Sequence, residues 1–468
     1  MAGELLVRAY NVGCGDCIYV RIPDAARDDF HILIDCGSKE GDSSGVTRRA
    51  IEHLEGELPD HANGTKRLDL LVVTHRHEDH IKGFDPEVFQ NFRVQNLWVT
   101  QGMNGDHPQA QQSLALHEAA TGQMQALFDS GASLSPELEE LAALYRVNND
   151  DATTALLETL PEQSGMDVDF VSAGMTSDDF GIDVPDTTIH VLAPENDIDH
   201  FYLGEELDAT LQGLQAASGA FGEGSQPLAE GDSPTNISAQ DFEVLRSRML
   251  SNALAFAAGD TEIQNNVSTV LLIVWRGKRL LFVGDAEWKS SFKEGRKNAS
   301  WNVMWEKRKA LLDAPLDFLK VGHHGSHNST PWKRTADSDH IVNQIFDAIL
   351  PLPAAGEEPA AQCVISTKRK QYDTIPDAEL LAELGRRVAN VHDYGEELSN
   401  ADPGFDAAED IFNFSISKTY SKPPSPREVG EADFFDQRQP SRTDLLTTSR
   451  SSGDMSDADG FVDVLIDP

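Results

Sequence analysis

Three histidines and one aspartate fall within six residues in the segment HRHEDH (75–80). In an extended chain His75 and His77 point to the same side, and Asp79 and His80 then turn toward a neighbouring position. Imidazole and carboxylate groups are suitable ligands for zinc, and also for manganese or iron. The segment therefore predicts a metal centre in which these four side chains are ligands.

Two later segments suit the same centre. Gly284-Asp285 ends an apolar run, at a place where a carboxylate can bridge two metal ions. KVGHHGS (320–326) ends another apolar run, and its glycines allow a close approach of the backbone. We therefore predict that Asp285 and the pair His323-His324 belong to the same site as the first segment.

Short apolar runs, which predict buried strands, lead into each of these segments. LDLLVVT (68–74) precedes the first histidine, RLLFVGD (279–285) ends at Asp285, and PLDFLKVGHHGS (315–326) contains the histidine pair. Two helices are predicted at 46–57 and 377–388. Further strands are predicted at 4–22 (two strands), 31–37, 97–100, 168–173, 188–194, 268–275, 363–367 and 411–417. The chain is thus expected to have an α/β (α+β) fold.

Two stretches interrupt this pattern. About 104–163 has helical spacing and good helix formers, and about 198–262 combines a Gly/Ser/Pro-rich loop with a helix at 239–258. We predict two mainly helical insertions in a single domain, 1–418. Residues 419–468 are rich in Ser, Pro, Arg and Asp and have little periodicity, which predicts a disordered acidic, Ser-rich tail. FVDVLI (461–466) is the one part of this tail that is apolar enough to dock elsewhere.

The HxHxDH pattern after a buried strand resembles the signature of the metallo-β-lactamase superfamily. Five more segments are similar to the hydrolase domain of ComEC-type DNA-uptake proteins and its stand-alone soluble relatives: NVGCGDC (11–17), ILIDCG (32–37), NNVS (265–268), FVGDAE (282–287) and LKVGHHGS (319–326). The resemblance runs to about residue 418, interrupted by the two insertions, and does not include the membrane channel. It implies an αββα sandwich with metal ions at one edge.

The same resemblance implies how the ligands are shared between two divalent ions, zinc or manganese. They would be His75 and His77 for the first ion, Asp79, His80 and His323 for the second, and Asp285 between them. The superfamily usually supplies a third histidine to the first ion, but the comparable segment, 264–268, has none. Either the first ion is weakly held or an Asn contributes an oxygen, which favours manganese somewhat. His190, in the middle of a predicted strand, is a further candidate.

Other side chains are expected to act on the ligands or the substrate. Candidate catalytic residues are Asp79, Asp285 and His324, and His324 or a metal-bound water would protonate the leaving group. His327 and Lys320 are candidates for substrate binding, with a solvated loop as the alternative for His327. Candidate residues that support the ligands through hydrogen bonds are Asp35, Asn265, Asn266 and Ser326. A simple turn is the alternative role for Asp35.

Positive charge is concentrated near two of the proposed ligands. Residues 276–334 contain thirteen basic and six acidic residues, in a chain whose net charge is -40, and five of the six tryptophans lie at 275–332. A basic, aromatic surface beside a metal centre suits a phosphate-bearing substrate, so Lys293, Arg296 and Lys297 are candidates for substrate binding. The alternative is an ordinary amphipathic helix at 289–312.

The composition restricts the location and the partners. The strongly acidic chain repels nucleic acid and anionic membranes at long range. It shows neither a signal peptide nor a membrane-spanning run, and its four cysteines suit free thiols in a reducing compartment. We predict a cytoplasmic protein without a membrane partner, and the acidic insertions or tail are a candidate surface for a protein partner.

Three functions are consistent with these features. The favoured one is a phosphodiesterase or nuclease in which two metal ions activate a hydroxide, acting on nucleic acid or a small phosphodiester. The second is hydrolysis at a carbonyl carbon by a lactonase, thioesterase or peptidase, because the same ligands serve that reaction. The third is a partner-binding component of a larger bacterial system with a weak active site.

Overall fold

In the computed structural model the chain is a mixed α/β protein with two main β-sheets. The structure describes residues 3–24, 27–39, 45–129, 148–203, 257–293, 295, 297–333, 340–367, 375, 377–389, 450–451 and 461–468. Three predicted features therefore lie outside the described residues: the strand at 411–417, most of the helix at 239–258, and Arg296.

The strands follow the predicted order closely. They are β1 (Leu5–Tyr10), β2 (Ile18–Ile22), β3 (Phe30–Ile34), β4 (Lys66–Leu68), β5 (Leu70–Val73), β6 (Phe92–Val94), β7 (Leu97–Thr100), β8 (Val168–Val171), β9 (Thr187–Ala193), β10 (Val270–Trp275), β11 (Lys278–Phe282), β12 (Phe318–Val321), β13 (Gln362–Ile365), β14 (Arg450–Ser451) and β15 (Phe461–Ile466). One sheet has the order β14-β15-β1-β2-β3-β5-β7-β8, the second has the order β13-β12-β11-β10-β9, and β4 pairs with β6 alone.

The described helices include both helices predicted outside the insertions. They are α1 (Val46–Glu57), α2 (Glu78–Ile81), α3 (Gln111–Asp129), α4 (Asn148–Thr154), α5 (Leu160–Ser164), α6 (Ile198–Tyr202), α7 (257–266), α8 (Ser300–Leu312), α9 (Ile341–Ile349) and α10 (Ala378–Arg387). The helical character predicted for 104–163 is confirmed by α3, α4 and α5. In 198–262, the described residues belong mainly to α6 and α7.

Successive side chains along a strand pack into different hydrophobic clusters, one on each face of the sheet. In β1, Leu5, Val7 and Ala9 belong to a hydrophobic cluster that also contains β10 and β11 side chains, whereas Leu6 and Tyr10 join a second cluster with α1. Successive side chains of a strand point to opposite faces, so the first sheet is buried on both sides. Each large apolar side chain buried in this way contributes about 1.5–3 kcal/mol.

The C-terminal strand corrects the predicted tail. β15 pairs with β1 over six residues, from Leu5 opposite Ile466 to Tyr10 opposite Phe461. Val462, Val464 and Ile466 alternate along it and are buried in the first cluster. The prediction of a disordered tail over 419–468 is therefore wrong for Phe461–Ile466, because this short apolar alternation completes the first sheet. The domain accordingly uses residues beyond 418.

The basic segment also differs from the alternative helix at 289–312, because α8 begins only at Ser300. Asn298 accepts a hydrogen bond from the backbone N–H of Lys293 and donates one to its carbonyl oxygen, both at 2.9 Å. Asn302 makes the same pair of bonds with Lys289. Asn side chains that bond to nearby backbone in this way compete with helix formation, so the described residues 289–293 and 297–299 are not helical.

Candidate metal centre

The ligand-bearing segments follow three strands of the two sheets. His75 and His77 come directly after β5, and α2 then carries Asp79 and His80. Asp285 follows β11, and a 3-10 turn at His323–Gly325 follows β12, which is the parallel neighbour of β11. The strand ends therefore bring together residues that are up to 249 positions apart in sequence.

The side chains form two groups that share one carboxylate. Ligand atoms of His75, His77 and Asp285 lie within 4.8 Å of one another, as do those of Asp79, His80, His324 and Asp285. The Nε2 atom of His75 is 3.5 Å from Oδ2 of Asp285, and the Nε2 atom of His80 is 3.1 Å from its Oδ1. One oxygen of Asp285 thus faces each group, and these buried groups can hold metal ions.

Hydrogen bonds fix the outer nitrogen of three imidazoles. Nδ1 of His75 lies 3.1 Å from Thr74 Oγ1 and 3.3 Å from Ser268 Oγ. Nδ1 of His80 lies 2.7 Å from Asp35 Oδ2, and Nδ1 of His324 lies 2.8 Å from the carbonyl oxygen of Ser366. Ligating histidines are commonly oriented through the other ring nitrogen in this way. The Nε2 atoms are therefore the ones directed at the two groups.

The carboxylate of Asp35 is hydrogen-bonded to the proposed ligand His80, which is the contact that its predicted supporting role requires. Besides His80, its carboxylate accepts bonds from the backbone N–H and the hydroxyl of Thr74, at 2.7 and 2.6 Å. Gly37, two residues after Asp35, packs so tightly against the backbone of Asp79 and His80 that a Cβ atom on it would collide with that backbone. The loop after β3 thus positions α2 and its ligands.

Unsatisfied polar atoms test whether a metal ion suits this donor set. Within the described part of the chain, Asp79 Oδ1 is buried without a hydrogen-bond partner, which is costly for a protein unless something else binds there. Nitrogens at about 2.1 Å from a tetrahedral ion are about 3.4 Å apart, whereas His75 Nε2 and His77 Nδ1 are 3.0 Å apart, at hydrogen-bond distance. The unsatisfied carboxylate oxygen fits a divalent ion, and the two imidazoles would separate by a few tenths of an ångström to hold one.

Burial and neighbouring charges set the protonation of the ligands. Burial lowers the pKa of His77 to about 4 and that of His75 well below its usual range. Burial opposes ionisation of Asp285, but His80, His323 and His75 hold its pKa well below the usual value. Neutral imidazoles and ionised carboxylates are the forms that bind metal, so His75, His77 and Asp285 are in the form that a ligand needs. Although burial opposes it, Asp285 and Asp35 raise the pKa of His80 well above its usual value, and Cys14 and Asp79 do the same for His324. Metal binding by these two rings would therefore release protons.

The two adjacent histidines are placed differently from the expectation. His324, predicted as a catalytic acid, belongs to the ligand group and lies with Nε2 2.8 Å from Asp79 Oδ2. His323, predicted as a ligand, is partly exposed, and its Nε2 is 4.0 Å from Asp285 Oδ2. Both residues have positive φ angles, 43° and 53°. This left-handed backbone directs the ring of His324, rather than that of His323, into the donor group with Asp79, His80 and Asp285. The sequence pattern does not reveal it.

The prediction for Lys320 is corrected. Lys320, proposed to bind substrate, is 2% exposed, and its Nζ donates to Asp16 Oδ2 at 2.8 Å. This burial keeps it from a substrate in solvent. Ser326, predicted to support the ligands, donates its hydroxyl to Asn328 at 2.8 Å and its backbone N–H to the carbonyl oxygen of His323 at 2.9 Å.

The asparagines converge on a carboxylate that the sequence motifs do not single out. Nδ2 of Asn265 and of Asn266 donate to Glu287, at 2.9 and 3.3 Å. Burial raises the pKa of Glu287 to about 7. The amide oxygen of Asn265 is buried without a hydrogen-bond partner among the described residues, and is therefore available to an ion. His190 belongs to none of the metal-capable groups found in the described chain.

Lys39 also lies beside the centre, although no motif predicts it. Its Nζ is 3.1 Å from Asp79 Oδ2, and its side chain is 19% exposed. The charge of Lys39 contributes to the lowered pKa of both His77 and His323, after burial. The only sequence signal for it is its position two residues after the DCG segment (35–37) that follows β3.

Three of the predicted substrate-binding residues line one cleft. Lys293, Lys297 and His327 border a cavity of about 570 Å³ together with Trp288 and Trp332. The remaining tryptophans of the basic segment, Trp275, Trp301 and Trp305, are buried in the first hydrophobic cluster. The basic, Trp-rich segment therefore contains two sets of residues. One set lines the cleft and faces solvent, and the other set, the three buried tryptophans, packs in the core.

No protein-family model matches this sequence, and a search of curated proteins finds no similar one. Among the described helices, none is long and apolar enough to cross a membrane. All four cysteines are buried and none forms a disulfide.

Proposed function

We propose that this protein is a hydrolase of the metallo-β-lactamase type that cleaves phosphodiesters with two divalent ions, zinc or manganese. The observation that carries the proposal is the position of Asp285 between the pair His75 and His77 and the group Asp79, His80 and His324. A single shared carboxylate between two buried donor groups is the arrangement that a two-metal hydrolase needs.

The architecture supports the proposed αββα sandwich. Side chains of both main sheets share one hydrophobic cluster, α1 packs against the first sheet, and α8 contacts β9 of the second. The ligands follow strand ends of both sheets, so they lie where the two sheets meet.

The chemistry divides between the ions and the chain. When bound, two divalent ions supply Lewis-acid activation of water and of the phosphoryl group. Asp35 and Ser366 hold the imidazoles of His80 and His324 in the orientation that a ligand needs. Lys39 offers an ammonium group to an anionic substrate oxygen beside Asp79. Both ring nitrogens of His324 are engaged, and burial lowers the pKa of His323 to about 4, so the proton for the leaving group comes from water rather than from either ring.

The charge near the site favours a phosphodiester over a carbonyl substrate. The segments that carry Asp285 and His324 continue directly into a cleft lined by four lysines and one carboxylate, in a chain of net charge -40. A local positive potential attracts a phosphate group, whereas a neutral lactone or ester gains nothing from it.

A substrate panel tests the proposal. Protein loaded with manganese or with zinc is assayed on bis-p-nitrophenyl phosphate, a lactone and p-nitrophenyl acetate, beside the variant Asp285→Asn. We expect turnover of the phosphodiester that falls by about 10³-fold or more in the variant, because a shared ligand is lost. Hydrolysis of the lactone without the phosphodiester would replace this function with the carbonyl one. Metal-loaded protein that cleaves none of the three would contradict a hydrolase.

A further inference from the structure

We propose that the cleft lined by Trp288, Trp332, Lys293 and Lys297 binds a small phosphorylated ligand with an aromatic ring, of mononucleotide to dinucleotide size. This inference rests on the proposed function and names its substrate class. It selects a small phosphodiester over a long nucleic acid.

The charge of the cleft suits one or two phosphate groups. The ammonium groups of Lys289 and Lys297 both contact the carboxylate of Glu262, the first at 2.5 Å, so this trio keeps one net positive charge. Lys293 and Lys333 add two further ammonium groups to the lining. Asp377 is the one carboxylate among the described lining residues, and it is engaged as the N-cap of α10, accepting from the N–H of Leu380 at 2.9 Å.

The aromatic side chains suit a planar ring. Trp288 and Trp332 are both half-buried and line the cavity. The indole N–H of Trp288 donates to the carbonyl oxygen of His327 at 3.2 Å, which fixes the position of its ring. Stacking on an aromatic side chain stabilises a bound nucleobase. Phosphate and base thus have separate partners in the same cleft.

The size and position of the cleft restrict the ligand further. A volume of about 570 Å³ lies within the range of about 300–1,000 Å³ that is usual for small-molecule sites. The net charge of -40 repels a long polyanion. Trp288 and His327 each lie three residues beyond a metal ligand, Asp285 and His324, and the backbone N–H of Trp288 donates to the carbonyl of Asn328 at 2.9 Å. The cleft is therefore lined by the continuations of the two segments that carry Asp285 and His324.

Titration calorimetry on the metal-loaded full-length protein tests this assignment. The probes are 5′-AMP, a phosphorothioate-linked diadenosine that resists cleavage, adenosine, inorganic phosphate and a 30-nucleotide single strand. We expect AMP and the dinucleotide to bind about tenfold more tightly than adenosine or phosphate alone, and affinity to fall as salt rises. Lys293→Gln and Trp332→Leu should each weaken dinucleotide binding by about fivefold to twentyfold. Lys309→Gln, an exposed lysine on α8 paired with Asp313, is the matched control and should bind as the wild type does.

Wild-type affinity in both cleft variants would overturn the inference, as would equal binding of adenosine and AMP, or binding of the long strand alone. The proposed function is scored separately through turnover of bis-p-nitrophenyl phosphate. Turnover without nucleotide binding removes the inference and leaves the function. Nucleotide binding that depends on Lys293, without any turnover, supports the cleft and removes the function.

Discussion

At the scale of single residues, Lys39 places an ammonium group beside the ligands, 3.1 Å from Asp79 Oδ2. We predict that Lys39→Gln lowers kcat/KM for bis-p-nitrophenyl phosphate by about 10²-fold, because a positioned donor to an anionic substrate oxygen is lost. The metal content should stay at the wild-type value, since Lys39 is not a ligand.

The matched control for Lys39 is Lys82→Gln on the turn after α2. Its Nζ pairs with Glu78 at 2.5 Å, so turnover should not change. Equal rates for Lys39→Gln and the wild type would show that Lys39 only neutralises Asp79.

His31 gives a prediction on pH that is independent of the metal centre. Burial lowers its pKa to about 4, and its ring nitrogen lies 2.7 Å from the hydroxyl of Tyr19, whereas an unfolded histidine titrates at about 6.5. Between these values the unfolded state binds more protons, so the free energy of unfolding falls as pH drops from 6.5 to 4, by up to about 3 kcal/mol. We expect His31→Asn to show a shallower decline in urea unfolding between pH 7 and pH 4.5. Parallel declines for variant and wild type would contradict the buried, neutral state.

The site residues show which properties can be read from the sequence. HRHEDH (75–80) and Asp285 could be predicted because residue type and spacing alone bring them to strand ends. The presence of His324 rather than His323 in the buried donor group could not, because it depends on their φ angles of 43° and 53°. The burial of Lys320 could not either, because its partner Asp16 is 304 residues away in sequence.

At the scale of elements, the C-terminal strand is held by a buried ion pair. Arg8 of β1 donates two hydrogen bonds to Asp463 of β15, at 2.7 and 2.9 Å, and its guanidinium lies 3.7 Å from the ring centre of Phe461. We predict that Asp463→Ala lowers the free energy of unfolding by about 3 kcal/mol, because a buried charge loses its closest partner. Denaturant unfolding measures this loss.

Asp467→Ala is the control for this pair, because Asp467 is exposed just beyond the strand and its loss should cost little. Removal of residues 461–468 should lower the melting temperature further, since the paired strand and its buried side chains are lost. A truncated protein that melts with the wild type would mean that β15 contributes nothing to the sheet.

The strands and helices were mostly predictable, because short apolar runs that are bounded by turn residues and rich in β-branched side chains favour buried strands. The errors lie where side chains override local propensity. Asn298 and Asn302 bond to the backbone of Lys293 and Lys289, and the described residues 289–293 and 297–299 lie outside the helix expected at 289–312. Phe461–Ile466 is an apolar strand at the end of a polar segment, and its partner β1 is at the other end of the chain.

At the scale of the whole molecule, the uneven distribution of charge bears on the size and charge of the proposed substrate. A chain of net charge -40 that gathers lysines in one cleft beside a metal-capable centre favours small anionic ligands over long ones. Sequence alone could locate this basic segment. It could not separate the cleft residues Trp288 and Trp332 from the buried Trp275 and Trp301, because that difference arises only when the two sheets pack.

The most direct test of the central claim is the number of metal ions bound per chain, measured by elemental analysis after loading with manganese or zinc and removal of free metal. We predict two ions for the wild type and about one or none for Asp285→Ala, because this carboxylate is shared by both groups. His324→Ala should lose metal, whereas its neighbour His323→Ala, in the same turn, should retain two ions. A wild-type protein that remains metal-free would contradict the account, and so would an Asp285→Ala variant that keeps two ions.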